Sequence, residues 1–324
     1  MAYNRDNYIR VKREFETKYA QARDQAQARR EELHVRFPEL RRIDDALAET
    51  GMRVFRESMA GKDGLDERIA AIRGETEELQ AVRGEWLRYH GYPEDYTDVK
   101  YQCDICLDTG SVGFNMCTCM KRALTMAGYE SSGLGNLIKT QNFESFDLSY
   151  YKDDKKALDN IKHILAVCRR YADEFDTARR SNLLLRGNTG LGKTHLTTAI
   201  SKVVIDRGFD VIYDTAQNVF SDFENERFNR NQNESTEKRT PRYFECDLLI
   251  IDDLGSEMAN QFTISCLYNI INTRINYERS IILNTNLIAD ELRRRYNDRI
   301  TSRLFGEFML LEFTGTDIRA KKLI

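Results

Sequence analysis

Apolar residues recur at steps of three and four positions through most of residues 1–98. The steps run over residues 8–26, 33–47 and 65–86, and charged residues separate them. This spacing places the apolar side chains on one face of each helix, so it predicts amphipathic helices that break near residues 61–64. Long charged helices with a narrow apolar stripe need a surface to pair with. A helical hairpin within the chain and docking on a partner protein both satisfy that need.

Short apolar runs alternate with helical patterns in the second half of the chain. Four runs predict buried strands, with a fifth strand expected near the end, at residues 182–186, 209–213, 247–253, 280–286 and 309–313. Helical spacing lies between them, most clearly at residues 194–205 and 261–277. Strands that alternate with helices predict an α/β fold, in which a doubly wound parallel sheet carries helices on both faces.

A glycine-rich loop follows the first of these strands and opens the next helix. It fits G-x-x-x-x-G-K-[ST] with Gly187, Asn188, Thr189, Gly190, Leu191, Gly192, Lys193 and Thr194. Glycines let main-chain N–H groups curl around a triphosphate, and a helix N-terminus adds a favourable field for anions. Lys193 is expected to reach the β- and γ-phosphates, and the Thr194 hydroxyl is expected to ligate Mg²⁺. We include His195, the next residue, among the nucleotide-binding residues.

Two acidic residues end the apolar run at residues 247–253. Asp252 and Asp253 would emerge at the carboxyl edge of the sheet, where open α/β folds bind ligands. Asp252 is expected to hold Mg²⁺, directly or through water, and Asp253 lies where a catalytic base would polarise the attacking water. Asn286 ends the next strand and could orient water near the γ-phosphate. A turn in which the aspartates make only local hydrogen bonds is the alternative.

With these motifs the chain resembles the AAA+ ATPases, and among them the bacterial replicative helicase loaders of the DnaC/DnaI type. The similarity covers residues 99–324, and the segments that carry it are 182–196, 249–255 and 284–287. The resemblance implies that Lys193 and Thr194 form Walker A, that Asp252 and Asp253 form Walker B, and that Asn286 is sensor 1. Most AAA+ proteins have Asp-Glu at Walker B. The shorter side chain of Asp253 therefore predicts slow hydrolysis.

The resemblance also assigns roles to two arginines. Residues 301–304 look like the box that carries the arginine finger, so Arg303 is expected to act on the nucleotide of a neighbouring subunit. Residues 315–319 look like a reduced sensor 2, with Arg319 as its arginine. Charged runs are usually solvated, and a solvated face is the alternative for Arg303.

Four of the seven cysteines lie close together in a C-x-x-C and a C-x-C pair. They are Cys103, Cys106, Cys117 and Cys119. Four thiolates at this spacing can surround Zn²⁺ tetrahedrally, and a closed set of ligands would make the site structural. Free thiols are the alternative, whereas disulfides are not expected because nothing indicates an oxidising compartment. Firmicute-type loaders carry a comparable zinc module.

The composition of the chain limits the classes of protein to which it can belong. The 324 residues are 41% hydrophobic and 31% charged, with a formal net charge of −3. This length suffices for two domains, and the slight acidity argues against tight non-specific DNA binding by charge alone. No apolar run approaches the ~20 residues that a membrane helix needs, and the first residues lack the apolar core of a signal peptide. We therefore expect a cytoplasmic protein without membrane association.

The patterns predict four segments. They are a helical or coiled-coil region at 1–98, a zinc module at 99–127, a linker at 128–142 and an α/β domain at 143–324. The resemblance implies that the first segment interacts with the helicase and that the last is an AAA+ domain with little or no lid. Within the last segment, residues 224–241 are expected to form a polar excursion. The basic and aromatic residues in and near it suit single-stranded DNA, and a plain solvated loop is the alternative: Phe223, Arg227, Phe228, Arg230, Lys238, Arg239, Arg242 and Tyr243.

Three functions remain under consideration. The first is an ATP-dependent loader that places a DnaB-type replicative helicase on single-stranded DNA, uses ATP or ADP with Mg²⁺, contains Zn²⁺ and associates with itself through the ATPase domain. The second is a transposition helper ATPase of the IstB type, which grips duplex DNA and a transposase. The third is a nucleotide-binding adaptor that does not hydrolyse ATP.

Overall fold

The computed structural model describes residues 3–59, 65–228 and 240–318. These residues divide into two compact units, one within Lys12–Cys119 and the other within Met1–Val11 and Met120–Ile324. The helix break expected at 61–64, residues 229–239 of the excursion expected at 224–241, and Arg319 lie outside the described residues. Among the helices that are described, none has both the length and the apolar character needed to span a membrane.

The first unit is mainly helical. Its helices are α1 (Arg5–Arg36), α2 (Pro38–Met59) and α3 (Leu65–Tyr89). The first residues of α1, up to Val11, belong to the other unit. α1 ends before Phe37 because the residue that precedes a proline is disfavoured in helical conformation, whereas Pro38 itself suits the first position of α2. Leu33, Leu40 and Leu87 are fully buried together. The N-terminal helical region is confirmed, and α2 and α3 form a hairpin. Docking on a partner stays a prediction.

The cysteine module completes this unit. β1 (Ser111–Val112) and β2 (Asn115–Met116) form a two-stranded antiparallel sheet between the two cysteine pairs. Gly113 turns the chain between them with a φ of 58°, which glycine adopts without strain.

The second unit is a parallel sheet covered by helices. In the described part of the chain its strands are β3 (Leu183–Arg186), β4 (Val211–Thr215), β5 (Leu248–Leu254), β6 (Ser280–Thr285) and β7 (Met309–Glu312). Their order is β4-β5-β6-β3-β7, and every neighbouring pair is parallel. Each strand overlaps the apolar run that predicted it, and β4 and β5 extend one or two residues beyond theirs. The expected α/β fold is confirmed.

Helices cover both faces of this sheet. They are α4 (Thr118–Ser131), α5 (Leu137–Thr140), α6 (Lys155–Asp173), α7 (Lys193–Asp206), α8 (Ala216–Phe228), α9 (Pro241–Glu245), α10 (Gln261–Asn276), α11 (Ala289–Arg295) and α12 (Asp298–Glu307). Successive residues of β3 enter different apolar clusters, because strand side chains alternate between faces. Leu183 and Leu185 pack in one cluster, and Leu184 packs in the other. Both faces of the sheet are therefore buried.

Residues 128–142 differ from the expected linker. Leu134 and Ile138 are 2% and 4% exposed in the apolar core. The carbonyl oxygen of Ser132 accepts a hydrogen bond of 2.7 Å from the main-chain N–H of Tyr213. Gly133 has a φ of 84°, and a Cβ there would lie 2.3 Å from the Tyr213 carbonyl oxygen. The glycines that suggested a hinge are thus needed for close packing against the sheet.

Candidate functional site

The phosphate loop and the acids of β5 line one cavity at the carboxyl edge of the sheet. Its volume is about 490 Å³. β3 leads into the loop, α7 begins at Lys193, and β5 carries the two acids. The predicted residues that line it are Thr189, Gly190, Leu191, Gly192, Lys193, Thr194, His195, Asp252, Asp253 and Asn286. The parallel sheet assembles them, because the carboxyl ends of its strands meet at one edge.

Three glycines determine the path of the phosphate loop. Gly187, Gly190 and Gly192 have φ angles of 151°, 73° and 88°, a region that side chains with a Cβ rarely adopt. A Cβ at Gly187 would lie 2.5 Å from the carbonyl oxygen of Phe313. Gly192 is the N-cap of α7. The loop therefore delivers a helix N-terminus to the cavity, where it favours an anion.

Lys193 binds the loop in this structure. Its Nζ donates hydrogen bonds of 2.6 Å to the carbonyl oxygen of Gly187 and 2.8 Å to that of Asn188. An ammonium group on a flexible stem can exchange such carbonyls for phosphate oxygens. Gly187 and Asn188 thus hold the lysine at the cavity, although neither is among the residues that line it.

Asp252 is the polar centre of the site. It is 9% exposed and accepts four hydrogen bonds. Oδ1 accepts from Asn284 Nδ2 at 2.8 Å and from the main-chain N–H of Asp253 at 2.9 Å. Oδ2 accepts from the Thr194 hydroxyl at 2.9 Å and from the Tyr213 hydroxyl. Four donors fill the lone-pair positions of a carboxylate and fix its orientation. The two expected magnesium ligands, Thr194 and Asp252, are therefore in direct contact.

Tyr213 and Asn284 were missed by the sequence reasoning. Tyr213 belongs to β4 and Asn284 to β6, so they flank the strand that carries Asp252. Burial, and then the neighbouring Asp252, raises the pKa of the Tyr213 phenol, which therefore stays protonated and donates its hydrogen bond. The sequence offers a signal for Asn284, because a polar residue within an apolar strand often has a specific partner.

Asp253 borders the cavity and is exposed. Its φ of 54° lies in the left-handed region, where non-glycine residues are uncommon and cluster at functional sites. The pairing of β5 with β6 shifts between Ile251 and Leu254, so the regular ladder is interrupted at the acids. The main-chain N–H of Ser256 also donates to the Asp253 carbonyl oxygen at 3.1 Å. The main chain thus turns locally at Asp253, while its side chain remains at the cavity. The alternative in which the aspartates make only local hydrogen bonds does not hold for Asp252, which accepts from Thr194, Tyr213 and Asn284.

Aromatic side chains form a further wall of the cavity. Phe146, Tyr150 and Tyr151 line it. Tyr151 is also part of the apolar core, and its hydroxyl donates to the carbonyl oxygen of Leu191 at 2.9 Å. The ring of His195 meets that of Phe146 edge-on, with centroids 5.1 Å apart. Flat apolar surfaces beside a phosphate loop suit a nucleotide base.

Arg303 lies on α12 and is not among the described residues that line the cavity. Its Nη2 donates to Asn272 Oδ1 at 2.7 Å, and its Nη1 donates to the carbonyl oxygen of Arg299 at 3.1 Å. The guanidinium carbon also lies 4.7 Å from the ring centroid of Tyr268. A role on the nucleotide of a neighbouring subunit stays a prediction.

Two residues considered for DNA stacking or attraction have other partners. Tyr243 is 0% exposed, so its ring cannot stack on a base. Arg242 pairs with Asp214 at 3.0 Å and with Asp222 at 3.2 Å. Residues 224–228 belong to α8. They are therefore not part of a loop, and residues 229–239 lie outside the described part of the chain.

The four clustered cysteines form a candidate metal centre. Their sulfur atoms lie within 4.8 Å of one another, with 3.9 Å between Cys103 and Cys117 and 3.4 Å between Cys106 and Cys119. Tetrahedral zinc with Zn–S bonds of about 2.3 Å separates its sulfurs by about 3.8 Å. Burial raises the pKa of the Cys106 and Cys119 thiols, whereas a main-chain hydrogen bond at Cys119 lowers the pKa of the Cys117 thiol to about 7. The donor set and its spacing fit zinc.

A buried acid shapes this centre. The carboxylate of Asp108, which is 3% exposed, accepts hydrogen bonds from the main-chain N–H groups of Gln102 at 2.8 Å and Cys103 at 2.9 Å. Leu107 and Asp108 have φ angles of 50° and 58°, so the chain turns sharply just after Cys106. This turn brings the first cysteine pair to face the second.

Residues 131–310, more than half of the chain, match the model of the IstB-like ATP binding protein family. The chain belongs to this family. It is 25% identical over 191 residues to the replicative helicase loader DnaC of Buchnera aphidicola subsp. Baizongia pistaciae, covering 59% of this chain and 74% of the relative. It is 24% identical over 194 residues to that of Escherichia coli K12, covering 60% and 75%. The resemblance to AAA+ ATPases of the DnaC/DnaI type is confirmed.

Solved structures with a similar fold include the same kinds of protein. The crystal structure of the DnaC helicase loader has a TM-score of 0.47 and 20% identity, covering 55% of this chain and 98% of that one. The crystal structure of DnaI has a TM-score of 0.45 and 22% identity, covering 58% and 95%. With its family and its loop, the chain is an ATP-binding P-loop protein.

Proposed function

We propose that the protein is an ATP-dependent loader of a DnaB-type replicative helicase onto single-stranded DNA. The proposal is carried by one observation, the cavity that brings Lys193, Thr194, Asp252, Asp253 and Asn286 together. It is supported by sequence relatives that are named replicative helicase loaders. A cytoplasmic location is part of the proposal.

The cavity residues have separate tasks in ATP turnover. Lys193 exchanges the loop carbonyls for phosphate oxygens, and the N-terminus of α7 adds its field. Thr194 and Asp252 would hold Mg²⁺, which neutralises charge on the phosphates. Asp253 polarises the attacking water, and Asn286 orients it. Because the aspartate side chain is shorter than that of glutamate, hydrolysis is slow.

In our proposal, the cycle of ATP binding and hydrolysis controls the assembly of the protein with the helicase and with further copies of itself. The helical unit holds the helicase, and the ATPase unit associates with further copies of itself so that Arg303 reaches a neighbour's nucleotide. The position of Arg303 away from its own cavity supports an action in trans. Hydrolysis then releases the loader. Arg319 would act as sensor 2. Zinc in the cysteine cluster would keep the small module folded.

Copurification tests the loading role. The tagged protein is incubated with the replicative helicase of its host, with and without ATP, beside the Lys193→Ala variant. We expect the wild-type protein to form a complex with the helicase whose amount changes when ATP is added. The complex formed by the variant should not respond to ATP. Absence of a complex under both conditions would contradict helicase loading, whatever the ATPase activity.

A transposition helper ATPase is the second candidate, because the family model that matches the core is described as IstB-like. This function predicts tight binding of duplex DNA and of a transposase. Titration of the protein into labelled duplex and single-stranded oligonucleotides separates the two candidates. A strong preference for the duplex, together with no helicase complex, would favour the transposition helper.

A further inference from the structure

Tyr213 reaches the nucleotide site from the neighbouring strand. β4 pairs with β5 in parallel, with Tyr213 opposite Ile250 and Thr215 opposite Asp252. The phenol donates its hydrogen bond to Oδ2 of Asp252. The Thr194 hydroxyl donates to the same oxygen at 2.9 Å. One carboxylate oxygen thus links the phosphate loop to β4.

The tyrosine has little freedom to move. Its side chain packs in the apolar cluster beneath the sheet, and the residue is 6% exposed. Its main-chain N–H donates to the carbonyl oxygen of Ser132 at 2.7 Å. Its own carbonyl oxygen lies so close to Gly133 that a Cβ there would come within 2.3 Å. The phenol therefore has a fixed position relative to Asp252.

The two oxygens of Asp252 are held independently. Oδ1 is secured by Asn284, which also donates to the Thr197 hydroxyl at 3.1 Å, and by the main-chain N–H of Asp253. Oδ2 has the Thr194 and Tyr213 hydroxyls as its donors. Loss of the phenol would thus affect Oδ2, the oxygen shared with the expected magnesium ligand Thr194, and leave Oδ1 in place.

We propose that Tyr213 is a positioning residue for the magnesium end of this site. It acts through Asp252, because its hydrogen bond keeps Oδ2 beside the Thr194 hydroxyl and so presets both groups for a hydrated cation. The inference rests on the proposed ATPase function. Phenylalanine at this position fills the same space and leaves Oδ2 with one hydroxyl donor.

The Tyr213→Phe variant tests the inference through the magnesium requirement. The half-saturating Mg²⁺ concentration for ATP hydrolysis is expected to rise on the order of ten-fold, since hydrogen bonds to charged groups have effects of this size. The maximal rate at saturating Mg²⁺ and the affinity for ADP in EDTA should stay within about two-fold of wild type. An unchanged magnesium requirement would overturn the proposal while leaving the ATPase function intact.

Two further variants separate positioning from a general structural effect. Tyr171→Phe removes another hydroxyl of the same unit, one that donates to the carbonyl oxygen of Ser181 at 2.9 Å, and should not change the requirement. Asn284→Ala removes a donor from Oδ1 and leaves the phenol. If Tyr213→Phe and Asn284→Ala raised the half-saturating Mg²⁺ concentration equally, the loss of any hydrogen bond to the Asp252 carboxylate would explain the effect. That result would contradict a specific role of Tyr213.

A double-variant cycle gives an independent readout by binding. The affinity for a fluorescent ADP analogue is measured with and without Mg²⁺. The increase in affinity that Mg²⁺ causes is compared between the Asp252→Asn variant and the double variant that also carries Tyr213→Phe. Because Tyr213 acts through the carboxylate, its replacement should add no further effect in the Asp252→Asn background. Additive effects would contradict the proposal. A wild-type protein that bound no nucleotide would instead contradict the proposed function.

Discussion

The carboxylate of Asp317 lies against Gly190 of the phosphate loop, so close that a Cβ at Gly190 would be 1.7 Å from its Oδ1. The main-chain N–H of the next residue, Ile318, donates to the Gly190 carbonyl oxygen at 3.0 Å. The chain after β7 is thus attached to the loop, and it brings an acid to the place where we expect phosphate to bind. Like charges repel at short distance, so we expect the charge of Asp317 to oppose the binding of a phosphate group at this loop.

Replacement of Asp317 by asparagine should therefore strengthen nucleotide binding. We expect the affinity for ATP and ADP to rise by about three- to ten-fold at low salt, and by less at high salt because exposed charges are screened. Calorimetric titration measures both. Asp45→Asn is the control, since it makes the same change of net charge at an exposed position of α2. Equal or weaker binding by Asp317→Asn would show that the carboxylate does not oppose the phosphates.

Removal of one cluster cysteine should remove the metal. Cys106→Ala leaves three thiolate ligands, so we expect bound zinc to fall from about one ion per chain to nearly none and the melting temperature to drop. Elemental analysis and thermal unfolding measure these changes. Cys266→Ala alters a buried cysteine of α10 and should keep the zinc. A wild-type protein purified without zinc, and unaffected by added zinc, would contradict a metal centre.

Arg303→Ala should separate binding from turnover. Arg303 lies outside its own cavity, so ATP affinity should be unchanged, whereas turnover should fall by about 10²-fold or more if the guanidinium acts on a neighbour's phosphate. Mixing Arg303→Ala with Lys193→Ala should restore part of the activity, because one variant supplies the pocket and the other the arginine. Arg299→Ala, at an exposed position of α12, is the control. No recovery in the mixture would argue against action in trans.

The stability of the ATPase unit should depend on pH through Asp210. Burial, chiefly, raises the pKa of this carboxyl, and the charge of Asp247 adds to the rise, while a hydrogen bond of 3.0 Å from Asn4 Nδ2 opposes it. Because this pKa is raised in the folded state, the contribution of Asp210 to stability is fully present below its unfolded-state pKa of about 4 and is lost as the pH rises through its folded-state pKa.

Asp210→Asn should remove this loss. We expect the variant to have a higher free energy of unfolding than the wild type at pH 7 and to match the wild type below about pH 4. Urea unfolding between these values measures the difference. The exposed Asp45→Asn serves again as the control and should show no comparable trend. A variant less stable than the wild type at pH 7 would mean that the ionised carboxylate is the stabilising form.

The parts of the site that could be predicted are those whose residues lie close together in the sequence. The phosphate loop needs glycines, a lysine and a threonine at fixed spacing, and its strand and helix are its immediate neighbours. Asp252 and Asp253 end an apolar run, so their position at the edge of the sheet follows from the run itself. Residues 128–142 were misjudged because glycines suit both a flexible hinge and a close backbone approach, and composition does not distinguish these.

The sequence alone determined the alternation of strands and helices, the anion-binding loop, the pair of acids and the four thiols, because each is encoded within a few consecutive residues. Only the tertiary structure decided that Tyr213 and Asn284 flank Asp252, that Tyr243 is buried and that Asp317 lies on Gly190. Those contacts depend on the strand order β4-β5-β6-β3-β7, which joins residues far apart in the chain. Strand order is set by the packing of whole helices and strands, and no short pattern specifies it.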